Sequence, residues 1–339
     1  MRLADFDYHL PPQRIAQTPV EPRDASRLLL LHREQGRVEH CLFRDLPQYL
    51  RAGDLLVAND TRVLPVRLYG RKAQTGGRVE VLLLREHPGH RWEALVSPGR
   101  RLQVGAVIEF PQALTAQVVA RLARGGRLLQ FAAPDRVRER LLAAGVVPLP
   151  PYIHTALAQA ERYQTIYAAR EGSAAAPTAG LHFTPELLAR LRQLGVEWAT
   201  ITLHIGLDTF RPIKVEAVEE HEMYTEHYTI SPPAAAAVNQ AHVQGRRVIA
   251  VGTTTARALE SAAGEAGVAA QTASTSLFIR PGYTFRVVEA LITNFHLPKS
   301  TLLLLVCALA GRERVLAAYQ EAVQLGYRFL SFGDAMFVE

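Results

Sequence analysis

Two textures divide this chain, and the change between them limits the fold more than any single motif does. From about residue 62 to 147, short runs alternate apolar with polar residues and are separated by glycine-containing turns. Arg78-Val79-Glu80-Val81-Leu82, Arg91-Trp92-Glu93-Ala94-Leu95 and Ala106-Val107-Ile108-Glu109-Phe110 are of this kind. Side chains along a strand point alternately to its two faces, so the pattern predicts a small antiparallel sheet or barrel. From about residue 160 onward, strand-like runs alternate with capped helices. Parallel neighbours need a crossover helix, so that order predicts a mixed α/β fold with a largely parallel sheet. An apolar strand at 55–58 precedes the β segment. Residues 1–60 and 151–339 are therefore expected to form one discontinuous α/β catalytic domain, with residues 61–150 inserted as a basic β-barrel.

The punctuation of the α/β part is specific. Thr184-Pro185-Glu186 offers a capping hydroxyl and a first-turn proline, and Gly195 closes the helix that follows. Ser231-Pro232-Pro233 and Gly245 bracket a second helix in the same way. Strands are predicted at 196–205, 247–251, 287–293 and 327–332, and an apolar helix over 302–310. That apolar run is too short to span a bilayer. Hydrophobic residues at 48% and charged residues at 21% exclude a disordered chain. No secretory signal is read at 1–10, and Cys41 and Cys307 lack metal-binding spacing. A cytoplasmic, non-membrane protein, monomeric and without a bound metal, is expected.

Charge is unevenly placed. The chain carries 38 Lys/Arg and 32 Asp/Glu, a net of +6. Residues 60–150 hold 15 basic and 7 acidic residues, so 15 − 7 = +8, and the rest of the chain carries 6 − 8 = −2. Arg67, Arg71, Lys72, Arg78, Arg100, Arg101, Arg121, Arg124 and Arg127 contribute to this excess. A concentrated cationic surface is what phosphate contacts require, although a solvated arginine-rich sheet has the same composition.

Ligands of open α/β sheets bind beyond the carboxyl ends of the strands. Four such ends carry polar clusters: Asn59-Asp60-Thr61-Arg62, residues 204–210, Gly252-Thr253-Thr254-Thr255-Ala256-Arg257, and residues 294–300. The Gly252 turn opens a helix, where free N–H groups suit a carboxylate or phosphate, or where the threonines simply cap. His182, His204 and His296 lie beside Gly- or Pro-punctuated stretches. They are acid–base candidates near neutral pH, or structural hydrogen-bonding groups. Asp208 could orient a histidine or a ribose hydroxyl, or form an Asx turn. Glu226 is a weaker acid–base candidate in what reads as a surface loop. The 177–183 stretch, Pro-Thr-Ala-Gly-Leu-His-Phe, is a small-residue loop that a ligand can approach closely, or a linker. No G-x-S-x-G elbow occurs, which disfavours a serine hydrolase.

These strings resemble the S-adenosylmethionine:tRNA ribosyltransferase-isomerase family of queuosine biosynthesis over essentially the whole chain. The similarity runs through Phe6-Asp7-Tyr8-His9-Leu10-Pro11, Ser26-Arg27-Leu28-Leu29 and residues 53–62, 148–153 and 162–168. It is densest at 176–183, 202–210, 248–254, 293–301 and 327–336. Two positions depart from the family's pattern. Asp208 stands where glycine is usual, and Met223-Tyr224-Thr225-Glu226 lacks a histidine found there. The resemblance implies transfer and isomerisation of the ribosyl part of S-adenosylmethionine onto 7-aminomethyl-7-deazaguanine at the tRNA wobble position. Epoxyqueuosine forms, adenine and methionine leave, and no cofactor is implied because S-adenosylmethionine is consumed. On that basis His182, His204, His296 and Asp60 are the candidate proton-transfer groups. Thr61, Arg62, Thr178, Gly180, Phe183, Gly206, Thr209, Phe210, Gly252, Thr253, Thr254, Arg257, Asn294, Lys299 and Ser300 are the candidate substrate contacts. A non-catalytic RNA-binding module and an S-adenosylmethionine-dependent RNA methyltransferase are the competing readings.

Overall fold

The computed structural model describes residues 1–122, 125–206 and 213–339. Its residues group into two units, one of residues 1–62, 150–170 and 176–339, the other of residues 63–149 and 171–175.

The larger unit contains strands β1 (Arg27–His32), β2 (Arg37–Leu42), β3 (Leu55–Asn59), β12 (Glu197–His204), β13 (Glu226–Ile230), β14 (Val248–Val251), β17 (Gln271–Thr275), β18 (Ala290–Asn294) and β19 (Ala335–Val338). They form one nine-stranded sheet in the order β17-β13-β12-β3-β14-β18-β19-β1-β2. The four strands β12-β3-β14-β18 are mutually parallel, as is the β19-β1 pair. The remaining pairs, β18-β19 between these two groups and three pairs at the flanks, are antiparallel. Parallel character therefore concentrates at the centre, where β3 and β14 are buried along their whole length. Continuous apolar runs are what strands covered on both faces require.

Helices α2 (Pro185–Gln193), α3 (Pro232–Val243), α4 (Thr253–Ala262), α5 (Thr301–Ala310) and α6 (Arg312–Gln324) complete this unit's regular structure, with the short hairpin β15 (Ala263–Gly264) and β16 (Gly267–Val268). The expected caps are present. Thr184 accepts from the Leu187 N–H at 3.2 Å, and Ser231 accepts from Ala234 at 3.4 Å. Leu187 and Leu191 of α2 belong to the same buried core cluster as Leu56, Ile249, Ile292 and Phe337 of the sheet. The apolar helix α5 buries Leu303, Leu304, Leu305 and Val306. Each such side chain contributes roughly 1.5–3 kcal/mol relative to exposure.

Two predicted strands are displaced. The strand expected at 287–293 begins only at Ala290, because the Glu260 carboxylate takes the N–H groups of Arg286, Val287 and Val288 at 2.8–3.0 Å. The stretch 327–332 is not a strand. Leu330 has φ 70°, and the Asp334 carboxylate binds the N–H groups of Arg328 and Arg27 at 2.8 and 2.9 Å, so the chain turns before β19.

The smaller unit is a closed six-stranded barrel. Its strands are β5 (Arg67–Lys72), β6 (Arg78–His87), β7 (Arg91–Ser97), β8 (Val107–Phe110), β9 (Leu114–Arg121) and β10 (Arg127–Ala132), in the closed order β10-β7-β6-β5-β8-β9. All its pairings are antiparallel. Val79, Val81, Ile108, Val118, Leu129 and Phe131 are buried, as the alternation predicts. Helix α1 (Val137–Ala144) follows β10. The short strands β4 (Thr61–Val63) and β11 (Arg170–Ser173) lie where the chain passes between the two units.

Candidate active site

Because β12, β14 and β18 run parallel, their carboxyl ends open on the same edge of the sheet. A cavity of about 220 Å³ lies there. Ile205 after β12, Gly252-Thr253-Thr254 after β14, and residues 293–300 from the end of β18 line it, together with Ala176-Pro177-Thr178-Ala179. Tyr152, Leu302, Leu330 and Ser331 complete the wall.

Two helix N-termini meet this cavity. Gly252 precedes α4 with φ 92°, a conformation that penalises any side chain, and α4 has no side-chain cap. Its first-turn N–H groups are therefore available to a negatively charged ligand atom. Ser300 caps α5 by accepting from Leu303 at 3.2 Å while donating to the Leu297 carbonyl at 2.7 Å, so its hydroxyl is already engaged. Lys299 and Leu330, both on the wall, have φ 56° and 70°. Hydrogen bonds from their N–H groups to Phe6 and Phe295 hold these strained backbones. Such strain costs roughly 1–3 kcal/mol per residue and gathers at ligand sites. The Lys299 ammonium donates to Asp7 at 2.7 Å.

Polar side chains on the cavity wall are tied to a largely neutral network behind it. Thr178 donates to Asn294 Oδ1 at 2.9 Å, and Asn294 Nδ2 lies 3.0 Å from His182 Nε2. His182 Nδ1 lies 2.7 Å from Ser26 Oγ and 3.4 Å from the Arg23 guanidinium. His182 is wholly buried and stacks on Phe43, with ring centroids 5.0 Å apart. Burial first, and the Arg23 guanidinium second, push its pKa well below the ordinary histidine value. Arg23 is itself lowered to about 10, chiefly by burial. His296 lines the cavity, with Nε2 2.8 Å from Thr293 Oγ1. Burial pushes it down to about 3, so the ring is uncharged at neutral pH. Its Nδ1 has no hydrogen-bond partner among the described residues.

A family profile described as "Queuosine biosynthesis protein" matches residues 3–338. The chain belongs to the queuosine biosynthesis family. Among its relatives, proteins named S-adenosylmethionine:tRNA ribosyltransferase-isomerase from Moorella thermoacetica, Desulfitobacterium hafniense and Desulforamulus reducens are 56%, 55% and 52% identical, with all of each chain covered. A solved structure described as S-adenosylmethionine tRNA ribosyltransferase from Thermotoga maritima is 39% identical. It covers 99% of this chain and 100% of its own, with a TM-score of 0.58.

Within this family member, the cavity gathers Thr178, Gly252, Thr253, Thr254, Asn294, His296, Lys299 and Ser300 from the residues singled out in the sequence. Others stand apart. His182 does not face the cavity; it supports Asn294 from below. His204 pairs with Thr61 at 3.0 Å and is also lowered, first by burial and then by His227, with Asp60 opposing. Asp60 accepts from Thr202 at 2.6 Å, and Arg62 forms an exposed ion pair with Glu161 at 2.6 Å. This β3-end group of Asp60, Thr61 and Arg62, with His204, does not reach the cavity wall. Phe183 is core, between Phe43 and Trp198. Gly180 also lies off the wall, where a Cβ would stand 1.9 Å from the Tyr167 hydroxyl. The 177–183 stretch is thus a buried turn and not a linker. Arg257 points into a neighbouring small cavity, ion-paired with Glu226. Glu226 opens β13, buried, and binds the Gly206 N–H at 3.2 Å; it is not in a surface loop. Asp208, Thr209 and Phe210 lie outside the described residues.

Tyr152, Thr293, Leu330 and Ser331 escaped the sequence reading as site residues. The Tyr152 hydroxyl lies 2.7 Å from Ser331 Oγ. The signal for them lies in the strings 148–153, 293–301 and 327–336, which are among the family matches.

Proposed function

We propose that this chain transfers and isomerises the ribosyl part of S-adenosylmethionine onto 7-aminomethyl-7-deazaguanine at the tRNA wobble position, releasing adenine and methionine. The observation that carries this reading to the residue level is the meeting of Asn294, Thr178, His296 and the α4 N-terminus at one cavity. The sulfonium acidifies the adjacent ribose carbon. His296, neutral and with Nδ1 open, is the group that accepts this proton. A base with so low a pKa is fully available at neutral pH, although weak, and excluding water limits competing acceptors. Elimination opens the sugar ring and adenine leaves, taking up a proton at nitrogen. The acceptor amine adds to the unsaturated sugar, an internal alkoxide then closes the epoxide, and methionine departs with the C–S bonding electrons. The α4 N-terminus and Lys299 suit the methionine carboxylate. Asn294 and Thr178 hydrogen-bond the ribose hydroxyls.

The substrates are S-adenosylmethionine and tRNA in this reading, which fits a cytoplasmic protein. Among the described residues no helix is long and apolar enough to cross a membrane. The test is incubation of the protein with S-adenosylmethionine and tRNA bearing the aminomethyl base. Adenine and methionine release supports the reading. S-Adenosylhomocysteine in their place points to a methyltransferase, and tRNA binding without turnover points to a binding module.

A further inference from the structure

The strand order of the barrel sorts its charged residues onto two ends. Strands β5, β7 and β9 finish at one end, where β6, β8 and β10 begin. The 73–77 turn, the 98–106 loop and residues 122, 125 and 126 therefore share that end. Arg71, Lys72, Arg78, Arg100, Arg101 and Arg121 stand there, and none forms an ion pair with a carboxylate among the described residues. Arg71 donates to the Gly76 carbonyl at 3.2 Å, Lys72 to the Arg101 carbonyl at 3.4 Å, and Arg121 to Gln103. Glu109 faces Arg71 across the ladder and forms no ion pair among the described residues. Glu80, two residues into β6, is taken by Arg67 at 3.1 Å. Arg127 adds a buried charge. It donates to the carbonyls of Gly99, Leu102, Gly125 and Gly126 at 2.7–2.9 Å, which ties these backbone segments together, and no carboxylate among the described residues pairs with it. Arg124 lies outside the described residues.

The opposite end is balanced. Arg85, Arg91, Arg136, Arg138 and Arg140 stand against Glu86, Glu93, Asp135, Glu139 and Glu171, so 5 − 5 = 0. Arg138 bridges Glu86 and Glu171, Arg140 pairs with Asp135, and Arg136 pairs with Glu139. Cationic charge without a carboxylate partner is therefore concentrated at the loop end, while the opposite end is neutralised with the help of Glu171 from outside the 60–150 segment.

We infer that the loop end of the barrel formed by residues 71–78, 98–103, 121–122 and 125–127 is a docking surface for the phosphate backbone of the RNA substrate. Cations held only by carbonyl oxygens, on loops fixed by Arg127, keep their full charge for phosphate oxygens and release counterions on binding. The inference rests on the tRNA substrate proposed above.

The test compares full-length Arg100→Gln/Arg101→Gln/Arg121→Gln with the opposite-end control Arg85→Gln/Arg91→Gln. Affinity for tRNA is measured across a salt series, and thermal unfolding checks each fold. The triple variant is expected to bind tRNA at least about tenfold more weakly, with the slope of log K against log salt reduced by about 2–3. The control should change little. The single variants Arg100→Gln and Arg121→Gln serve if the triple variant unfolds. Equal losses in variant and control, or wild-type affinity and slope in the loop-end variants, overturn the docking surface. So does a loss of binding to anionic lipid vesicles with tRNA binding intact. Failure of the wild-type protein to release adenine from S-adenosylmethionine would instead reject the functional reading, and the two failures are told apart.

Discussion

At the amino edge of the central parallel strands, Arg247 donates to the buried Asp54 carboxylate at 2.6 and 3.0 Å and to Glu339 at 2.7 Å. At the carboxyl edge of the same strands, Thr178, Asn294, His182 and Ser26 are joined by hydrogen bonds without a carboxylate among them. His296 there keeps a ring nitrogen without a hydrogen-bond partner among the described residues. One edge saturates its charges and locks β3, β14 and the C-terminal residue together. The other keeps neutral polar groups and an uncapped helix end facing a cavity. Stability and chemistry are thus divided between the two ends of the same strands, and substitutions at each edge should fail in different ways.

The largest effect is expected at the cavity. His296→Gln should lower single-turnover adenine release by about 100-fold or more, the range typical of a lost proton-transfer group. Its unfolding midpoint in denaturant should move far less than its rate. Arg247→Met should do the reverse. It strands Asp54, which is only 2% exposed, and should cost about 2–4 kcal/mol in a denaturant titration, with turnover per folded molecule unchanged. If Arg247→Met slowed the chemistry at full folding, the division between the edges would break.

Acid should act through the carboxyl edge. His296 is held near 3 and His182 well below the ordinary 6.5, both chiefly by burial. As pH falls below 6.5 the unfolded chain takes up protons that the folded rings refuse. The contribution of each neutral ring is fully present above about 6.5 and declines on acidification. The decline is up to about 1.4 kcal/mol per pH unit per ring until the folded pKa is reached. Denaturant midpoints between pH 7 and 4.5 measure it, and His296→Gln should flatten the slope. The smallest effect belongs to Tyr167→Phe. That hydroxyl is buried without a hydrogen-bond partner among the described residues, against Gly180, so its removal should be neutral or stabilising by less than about 1 kcal/mol.

Periodicity made the coarse architecture legible. Alternation of period two marked the barrel strands, and Thr184 and Ser231 marked helix starts that the structure bears out. The displaced strands depended on distant partners. The Glu260 carboxylate withdraws the N–H groups of 286–288 from the ladder, and no local pattern records that. The site was half legible for a similar reason. Strand-end polar residues such as Asn294 and Thr253 were visible, but which strand ends face the cavity is set by strand order. Thus β14 and β18 supply most of its wall, while the polar residues Asp60, Thr61 and Arg62 after β3 do not reach it. His182 looked catalytic because histidine beside glycine signals a loop. The structure places it off the cavity wall, buried against Phe43 and 3.0 Å from Asn294. Leu330, strained without being glycine, left no compositional trace.

Asn294 joins the buried support to the cavity, so its replacement tests the account most directly. Adenine release from S-adenosylmethionine with aminomethyl-bearing tRNA should be followed in single turnover for wild type and Asn294→Ala, with thermal unfolding measured alongside. The account predicts a folded variant slowed by about 100-fold or more. A folded Asn294→Ala enzyme releasing adenine at the wild-type rate would contradict it.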